Sequence, residues 1–569
     1  MNVTDWIILI VTLATVVLYG VYKSRSSRNL DGYFLSNRSM PWWLILLSIM
    51  GTQASAVTFL AMPGQAYTDG MRFIQYYFGL PIAAVVICIT FVPVFSRLKI
   101  YTAYEFLESR FNVKTRVFTA FLFLIQRGLS TGISIFAPSI ILSTILGWNI
   151  YLTNLIMGGI LIIYTVTGGA RAVAYTQKIQ LIVIFAGMFL AGYYVVHNLP
   201  EQMGLADALD VGGRMGKMNV ITSGIKNGAF DWSDRYNLIS GTIGGFFLAL
   251  SYFGTDQSQV GRYLTAKNAT ESRLGLLMNG LVKIPVQFFI LLIGVLVFTF
   301  YQFNQAPVFF NEKELVRLES SPYSDSLSYY RQQSVNIQSQ REQILNRYAQ
   351  SKDLAELDKL KPLQAGTEKI RTRVKSLIRQ NGGDDNDTNY IFLRYVMDYL
   401  PVGLVGLLIA VIFLASWSSV AAALNSLASS SVVDFHKRFI NKDCSHEDDY
   451  RISRWYTFGW GVFCVVVAMF AYNIGNSLIE AVNILGSLFY GTILGIFLVA
   501  FYFKKVGAKA VLLSAVLAEL LVIVMFWLSE HDYIGLGFLW LNAIGSLTVI
   551  LLAVLLQNFF KQPARSLPA

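Results

Sequence analysis

SIMGTQASAVTF, residues 48–59, is a run of small and polar residues inside an otherwise apolar segment, and Pro63 and Gly64 follow it. Backbone that leaves the helix at membrane depth is tolerated only where it lines a cavity or is buried in protein. A second segment, 239–256, carries four glycines and lies five spans later. One span of small residues would indicate only close helix packing. Two interrupted helices in corresponding halves predict an inverted repeat with a binding site near the bilayer midplane.

The composition is that of a membrane protein. Of the 569 residues, 54% are hydrophobic and 14% are charged, whereas soluble proteins carry roughly 25% charged residues. The mean hydropathy is +0.51. This excludes an ordinary soluble enzyme and a disordered protein. The net charge of +11 fits Lys and Arg retained on the cytoplasmic side of a membrane, so no nucleic-acid partner is inferred. The three cysteines and four histidines are scattered and predict no metal site.

Thirteen apolar segments are long enough to cross a bilayer, which takes about 20 residues. They are 5–23, 41–66, 72–96, 115–146, 150–168, 171–196, 238–256, 276–303, 393–433, 454–473, 478–503, 508–529 and 535–558. The predicted fold class is therefore all-α integral membrane, with about 13 transmembrane helices.

Basic clusters predict the orientation. If the spans alternate, the Lys and Arg residues that follow the odd-numbered spans, such as Arg97, Arg116, Lys437 and Lys504, all fall on one side. The positive-inside rule makes that side cytoplasmic. We expect the N-terminus outside, the C-terminal tail inside, and a cell (inner) membrane location, because long tails are absent.

Five parts are expected along the chain. They are a peripheral first helix with a cytoplasmic loop (1–40), the first repeat and the start of the second (41–303), an extracytoplasmic polar insertion (304–392), the rest of the second repeat (393–503), and peripheral C-terminal helices with a cytoplasmic tail (504–569). Polar stretches at 323–348 and 352–379, ended by a Gly-Gly pair, predict a helical hairpin in the insertion. A spacer or lid scaffold is favoured for it, and no protein partner is inferred.

The ninth span carries a cluster of hydroxyls near its middle, including Ser416, Ser418, Ser419 and Ser426. By analogy with other hard cations, Na⁺ takes about five or six oxygen ligands. Carbonyls freed by a broken helix, together with adjacent hydroxyls, can supply them without a carboxylate. Neutral ligands suit an ion that must also leave, since a carboxylate would hold it more tightly at low dielectric.

Several motifs carry a family resemblance. They are 55–59 with Pro63 and Ala66-Tyr67, 104–111, Thr167-Gly168-Gly169 with Ala172-Val173, Gln257 with 262–264, and Ser418-Ser419 with 424–426 and Asp434. Together they resemble the sodium/solute symporter family, which includes sugar, sialic acid, proline, monocarboxylate, vitamin and iodide carriers. The match covers almost the whole chain outside 304–392. It implies a five-helix inverted repeat built from spans two to eleven, and sodium-coupled transport of a small solute rather than catalysis.

The resemblance also implies a sodium site between the second and ninth spans, with Na⁺ as the cofactor. Carried over by position, its ligands would be the carbonyls of Gly51, Ala54 and Ala415 and the hydroxyls of Ser418 and Ser419.

Some family members hold a second sodium ion with an aspartate after the Gly-Gly turn and two hydroxyls one turn beyond the serine pair. The matching positions here are Gln177, Ala421 and Ala422. A cation there would lack both charge and oxygens, so we expect one Na⁺ per cycle.

The resemblance places the substrate among the second, third, fourth, seventh and eleventh spans. Matching positions are Gln53, Ser55, Thr58, Tyr77, Tyr252, Phe253 and Asn483. Tyr77 and Ala249 replace the acidic residue and the asparagine of the sugar carriers, while Ser55 and Thr58 match hydroxyl residues of the sialic acid branch. A small organic anion, such as a sialic acid or a monocarboxylate, is therefore expected.

Arg127 lies about 16 Å along a helix from Arg116, near mid-bilayer, where an unpaired charge is costly. The substrate-carboxylate arginine of the sialic acid branch aligns with Ser130, one turn away. Two interpretations stay open for Arg127: a carboxylate anchor, or a structural arginine that caps carbonyls or lines the inner vestibule. Lys283 is expected to snorkel toward the cytoplasm rather than to bind substrate.

Other functions are less compatible with the sequence. A symporter of a neutral sugar or polyol is the main alternative, and a non-transporting membrane sensor on the same fold is another, although no soluble domain follows Phe560. A membrane-embedded enzyme would need paired carboxylates or a histidine cluster. A proton-driven carrier would need a mid-span acid near the core, whereas Asp256 and Glu480 lie at span ends. The expected partners are a small-molecule substrate and the lipid bilayer.

Overall fold

The computed structural model describes residues 1–24, 34–441, 446–471 and 477–560. The predicted cytoplasmic residues Arg25, Arg28, Lys442, Lys561 and Arg565 lie outside these ranges. Within them, nine helical stretches are long and apolar enough to cross a membrane, and three shorter apolar helices accompany them. Each of the thirteen predicted spans overlaps a helix, although residues 472–473 lie outside the described ranges. A chain in lipid must satisfy its backbone hydrogen bonds internally, and helices do so.

The helices of the first half are α1 (Val3–Ser24), α2 (Trp42–Gln53), α3 (Ala56–Asp69), α4 (Leu80–Leu98), α5 (Ala103–Arg110), α6 (Val113–Leu146), α7 (Ile150–His197) and α8 (Leu205–Arg214). A 3₁₀ stretch, Gly70–Tyr77, joins α3 to α4. The short strands β1 (Ile225–Lys226) and β2 (Ala229–Phe230) pair antiparallel.

The second half contains a π-helical turn (Ser240–Gly244), α9 (Gly245–Gly254), α10 (Gln257–Tyr263), α11 (Ala269–Phe303), α12 (Glu312–Glu319), α13 (Ser324–Ser351), α14 (Leu354–Asp358), α15 (Leu360–Gln380), α16 (Ile391–Tyr399), α17 (Leu404–Ser430), a second π-helical stretch (Ser431–Ile440), α18 (His446–Phe470), α19 (Leu478–Tyr502), α20 (Ala508–Glu530) and α21 (Leu539–Gln557).

The second span is broken where the sequence predicts it. Helix α2 ends at Gln53, Ala54 has φ −72° and ψ 81°, Ser55 is extended with φ −95° and ψ 168°, and α3 begins at Ala56. The two halves are therefore separate helices that meet at the depth of the predicted site.

The seventh span differs from the prediction. Its glycines do not unwind the helix, because Ser240–Gly244 continues directly into α9. A Cβ on Gly241 would lie 2.4 Å from the carbonyl oxygen of Gln75, and one on Gly245 would lie 2.4 Å from that of Tyr76. These glycines allow close packing on the 3₁₀ stretch, whereas the chain leaves the helix only at Thr255 and Asp256.

The fifth and sixth predicted spans both lie in one helical segment, α7. The hydroxyls of Tyr164 and Thr176 nevertheless lie 2.9 Å apart, although twelve residues of straight helix would separate them by about 18 Å. The chain therefore reverses between them, and two spans are present as predicted. The side chains of 167–175, which include the Gly168-Gly169 motif, lie outside the described residues.

The ninth span is shorter than the predicted 393–433. Helix α16 ends at Tyr399, Gly403 has φ +91° and α17 starts at Leu404. A glycine tolerates this backbone without strain. The Asp5 carboxylate accepts the amide of Gly403 at 2.6 Å, so that α1 caps the start of α17.

The insertion contains the predicted hairpin, formed by α13 and α15, and has a small apolar core of its own around Leu318, Leu327 and Val374. Its base is fixed by Asp387, which accepts hydrogen bonds from the buried Arg371 and from the amide of Phe310. The next residue, Thr388, packs its carbonyl against Gly64 of α3. The insertion therefore sits directly on the second half of the broken span.

Gly294 of α11 shows how closely α3 is held. A Cβ there would lie 2.2 Å from the carbonyl oxygen and 2.7 Å from the Cα of Pro63, both backbone atoms. We expect Gly294→Ala to lower the free energy of unfolding by about 1–3 kcal/mol, because it forces α11 and α3 apart. Thermal unfolding of the purified protein measures this. Gly159→Ala, whose Cβ would meet nothing within 4 Å, is the matched control, and an equal loss in both variants would contradict the prediction.

Candidate functional site

A cavity of about 140 Å³ lies between α2, α3, α4, α6, α9, α11, α17 and α19, beside the break in the second span. It is lined by all eight residues predicted to bind substrate: Gln53, Ser55, Thr58, Tyr77, Arg127, Tyr252, Phe253 and Asn483. Ser419 of the predicted sodium site lies at its edge. The structure thus brings together residues from six predicted spans in one place.

The break leaves two carbonyls without their helical donors. The Ser55 amide, which would close the next turn on Gly51, donates to Gln53 O at 2.9 Å. The Thr58 amide, which would bond to Ala54, donates to Ser55 O at 3.0 Å. The carbonyls of Gly51 and Ala54 are therefore released from the helix, as a cation site at a helix break requires.

Helix α17 supplies hydroxyls at the same place. The Ser418 hydroxyl donates to Gly51 O at 2.9 Å and so joins α17 directly to α2. The Ser419 hydroxyl donates to Ser416 O at 3.2 Å. Ala415 lies one helical turn before these serines, so that its carbonyl is on the same face. This set of neutral oxygens fits a small hard cation such as Na⁺.

The predicted positions of a second sodium ion hold no comparable oxygens. The Gln177 carboxamide accepts from Ser48 Oγ at 2.9 Å and donates to Thr52 Oγ1 at 3.4 Å. Ala421 and Ala422 are fully buried against Tyr164. At these three positions the structure has a neutral amide with its own partners and two methyl groups.

Arg127 is paired with a carboxylate of the chain itself. Its Nη1 lies 3.7 Å from Oδ2 of Asp256, which is 1% exposed. Tyr490 donates its hydroxyl to the same oxygen at 2.7 Å. The guanidinium also lies 5.9 Å from the centroid of the Tyr252 ring. Of the two interpretations of Arg127, this geometry favours the structural one, although its Nε keeps no hydrogen-bond partner among the described residues.

Sequence analysis missed the role of Asp256 because it placed the residue at the end of a span. The chain leaves the helix at this position, and the Asp256 side chain accepts the Ser258 amide at 2.7 Å as the cap of α10. An aspartate directly before the first residue of a new helix is a recognisable capping signal. It could have located the second interruption here rather than at the glycines.

Lys283 lines the cavity and does not snorkel to the surface. Its side chain is 5% exposed, and its Nζ lies 5.7 Å from the centroid of the Tyr77 ring. Within the described ranges no carboxylate forms an ion pair with it. The sequence-based expectation of snorkelling is therefore wrong, because α11 continues past Lys283 in both directions and turns this position toward the cavity.

Further polar groups face the cavity beside the predicted residues. Tyr76 donates its hydroxyl to Asn483 Oδ1 at 3.3 Å, and Gln126 donates to Ser130 Oγ at 3.0 Å. The Asn483 Nδ2 donor and the Gln126 Oε1 acceptor have no hydrogen-bond partner in the described part of the chain. These groups can bind a polar solute.

Comparison with known proteins decides the family. The family model for the sodium:solute symporter family matches residues 33–314 and 369–518. The chain belongs to the sodium:solute symporter family. It is therefore a sodium-coupled solute symporter and a multi-pass membrane protein.

Relatives of this symporter carry several solutes. It is 24% identical to the sodium/sialic acid symporter NanT of Aliivibrio fischeri, over 99% of this chain and 94% of that protein. It is 23% identical to the sodium/sialic acid symporter SiaT of Proteus mirabilis, over 99% and 96%. A sodium-dependent multivitamin transporter of Oryctolagus cuniculus is 26% identical over 93% and 70%.

A solved structure confirms the fold class. The symporter superimposes with a TM-score of 0.75 and 21% identity, over 99% of both chains, on a Na⁺-coupled sialic acid symporter in a substrate-bound outward-open state. The five-helix inverted repeat implied by the motifs is thus the fold of this chain.

The pairing of Arg127 with Asp256 leads to a test of stability. Asp256→Asn leaves the Arg127 charge buried without a counter-charge, and we expect a loss of about 3 kcal/mol in the free energy of unfolding. The double variant Arg127→Gln with Asp256→Asn removes both charges and should recover most of this loss. Thermal unfolding of the three proteins measures it. Additive losses in the double variant would show that the two residues are not coupled.

Proposed function

We propose that this symporter takes up a small organic anion, such as a sialic acid or a monocarboxylate, together with one Na⁺ per cycle by alternating access. The observation that carries the proposal is the charge of the cavity. The Asp256 carboxylate balances Arg127, whereas Lys283 has no counter-charge among the described residues. A buried cation facing a cavity is stabilised by an anionic ligand.

The relatives support the same substrate class. Two of them, at 23–24% identity over almost the whole chain, are named as sodium/sialic acid symporters, and a third relative is a sodium-coupled monocarboxylate transporter of Xenopus laevis. In this proposal, Lys283 attracts the substrate carboxylate. Gln53, Ser55, Thr58 and Asn483 bind its hydroxyl and amide groups, and the rings of Tyr77, Tyr252 and Phe253 pack against it.

The proposed Na⁺ ligands are the carbonyls of Gly51, Ala54 and Ala415 and the hydroxyls of Ser418 and Ser419. Two of these carbonyls are released by the break, and Ser418 already contacts one of them. The ion therefore binds α2 and α17 together, and its binding is coupled to the position of the broken span that also lines the substrate cavity. One ion per cycle follows from Gln177, Ala421 and Ala422, which offer no charge and no free oxygen.

We further propose that the insertion faces the extracytoplasmic side, with the N-terminus outside and the C-terminus in the cytoplasm. The basic residues Arg110, Arg116 and Lys437 lie at the opposite ends of the spans from the insertion, where they pair with Glu108, Asp434 and Asp449 or bind carbonyls near Phe503. The positive-inside rule makes that end cytoplasmic.

Uptake into proteoliposomes tests the proposal. Radiolabelled N-acetylneuraminate, lactate and glucose are compared with and without an inward Na⁺ gradient. We expect Na⁺-driven uptake of an acid with a Hill coefficient for Na⁺ close to one. One Na⁺ with a monoanion moves no net charge, so a K⁺ diffusion potential should leave the rate and accumulation unchanged. A tenfold gradient then supports about tenfold accumulation.

The same experiment identifies the alternatives. A neutral sugar carried with one Na⁺ gains about 2.3 kcal/mol per 100 mV, so an inside-negative potential would increase its accumulation, and glucose uptake would show it. A Hill coefficient near two, or potential-driven uptake of a monoanion, would contradict the single ion.

Ser418 tests the sodium site. Ser418→Ala removes one oxygen ligand, and since a hydrogen bond or contact to a charged group is worth about 1.5–3 kcal/mol, we expect the half-saturating Na⁺ concentration to rise at least about tenfold. The stabilisation of the protein by Na⁺ over K⁺ in thermal unfolding measures this without any substrate. Ser429→Ala is the control, because Ser429 is a buried serine of the same helix whose hydroxyl donates to Ser426 O. Equal Na⁺ stabilisation in both variants would exclude Ser418 as a ligand.

Lys283 tests the anion. Lys283→Met keeps most of the side-chain volume and removes the charge, and we expect it to abolish Na⁺-driven uptake of the acid without changing stabilisation by Na⁺. Lys283→Arg keeps the charge and should retain part of the uptake. Initial rates of uptake at increasing substrate concentration measure the KM for the acid in both variants. An unchanged KM for the acid in Lys283→Met would contradict the role of Lys283.

A further inference from the structure

Glu519 is an acidic residue at the centre of a membrane-spanning helix that the transport mechanism does not use. It lies eleven residues from each end of α20, or about 16 Å along the helix from each end. That is the middle of a hydrocarbon core about 30 Å thick. Sequence analysis looked for acids only in the spans around the substrate site and therefore overlooked it.

The side chain is buried at a helix interface. Glu519 is 6% exposed and shares a face of α20 with the fully buried Ala515, Ala518 and Val522. This face packs against α19 and α21. Neither carboxylate oxygen has a hydrogen-bond partner among the described residues. The polar group beside it is the Thr492 hydroxyl of α19, which is itself fully buried and likewise without a partner in the described structure.

The helices around Glu519 provide no counter-charge. Helix α21 contains no ionisable residue. On α19, Glu480 pairs with Arg235, Tyr490 bonds to Asp256 and Tyr502 bonds to Thr90. On α6, Arg116 pairs with Glu108 and Asp434, Arg127 pairs with Asp256, and Lys114 is exposed. On α20 itself, Lys509 and Glu530 are exposed and lie near the ends of the helix.

An ionised carboxylate at this depth would have neither water nor a cation to stabilise it. A protonated carboxyl group is neutral, and its O–H can be donated to the Thr492 hydroxyl, which satisfies both groups. We propose that Glu519 is a proton-binding site of the folded symporter, and that the bound proton holds α20 against α19. The carboxyl oxygen gains the proton from water during folding, and no other group changes its charge.

The position of α19 makes this proton relevant to transport. Helix α19 presents Asn483, Gly486 and Tyr490 to the substrate cavity, and Thr492 to Glu519 on another face. Loss of the proton would place an unpaired charge between α19 and α20 and separate them, moving the cavity wall and the Tyr490–Asp256 hydrogen bond. Transport therefore requires Glu519 to keep its proton and is lost when alkaline pH removes it. The proton itself is not transported.

Infrared spectroscopy of the full-length protein in lipid tests the protonation directly. A protonated carboxyl group buried in a membrane gives a resolved C=O stretching band that shifts in D₂O. We expect this band at neutral pH in the wild-type protein and in Glu530→Gln, whose substitution lies at the exposed end of the same helix, and its loss in Glu519→Gln. A wild-type spectrum identical to that of Glu519→Gln in this region would overturn the proposal.

The pH dependence of thermal unfolding supplies the second test, and needs no substrate. The folded state holds the proton while an exposed glutamate is ionised at neutral pH, so the folded state is favoured at low pH and loses stability as pH rises. As the pH rises above about 4.3, where an exposed glutamate ionises, we expect the Tm of wild type and of Glu530→Gln to fall by several degrees more than that of Glu519→Gln, in which the amide mimics the protonated form. The same alkaline fall in all three proteins would overturn the proposal.

Thr492→Val tests whether the protonated Glu519 carboxyl donates a hydrogen bond to the Thr492 hydroxyl or is buried without one. The substitution keeps the shape and removes the acceptor, and we expect it to shift the infrared band to a higher frequency, as for a carboxyl group without a hydrogen bond. An unchanged band would show that Thr492 does not accept the proton. These measurements do not depend on the identity of the transported solute, so a failure of the uptake experiments leaves them intact.

Discussion

The rest of the structure depends on one constraint, which is that backbone groups released at the centre of a membrane must find partners inside the protein. The second span is interrupted at Ala54 and Ser55, and the carbonyls of Gly51 and Ala54 lose their helical donors. The Ser418 hydroxyl of α17 meets one of them. The arrangement is stable as a contact between two helices of the chain, and the remaining released oxygens are the Na⁺ ligands that we propose.

Close packing around the broken span follows from the same constraint. A short helix that ends inside the membrane has little surface with which to hold its position, so its neighbours approach to backbone contact. Gly294 admits Pro63, Gly64 admits the carbonyl of Thr388, and Gly51 admits the Gln177 side chain. The insertion is part of this packing, because its Asp387–Arg371 pair positions the residue that lies against Gly64. A movement of the insertion would therefore act directly on α3, the half-helix that lines the cavity.

Charge is distributed unevenly in this interior. Arg127 has Asp256 as its counter-charge, and Tyr490 reinforces the pair. In the part of the chain that the structure describes, neither Lys283, which faces the cavity, nor Glu519, which lies in a separate helix interface, has a counter-charge. An unbalanced charge in low dielectric must be neutralised by a ligand or by a proton. The two residues therefore carry different proposals: the lysine that faces the cavity carries that of an anionic solute, and the glutamate in the helix interface carries that of a bound proton.

The sequence by itself indicated the membrane class, the helical spans and an interruption within residues 48–59. Seven of the eight predicted residues that line the cavity came from the family resemblance of its motifs, and Arg127 came from its depth in the fourth span. These depend on local signals: apolar length, small polar residues within an apolar run, and motifs whose spacing is fixed along one helix. The tertiary structure decided what depends on distances between spans. Only packing could show that Gly241 and Gly245 serve close contact while the second interruption is at Asp256, that Arg127 is paired within the chain, and that Lys283 faces the cavity. A side chain's partner across a helix interface is set by the rotation and depth of both helices, which neither helix encodes alone.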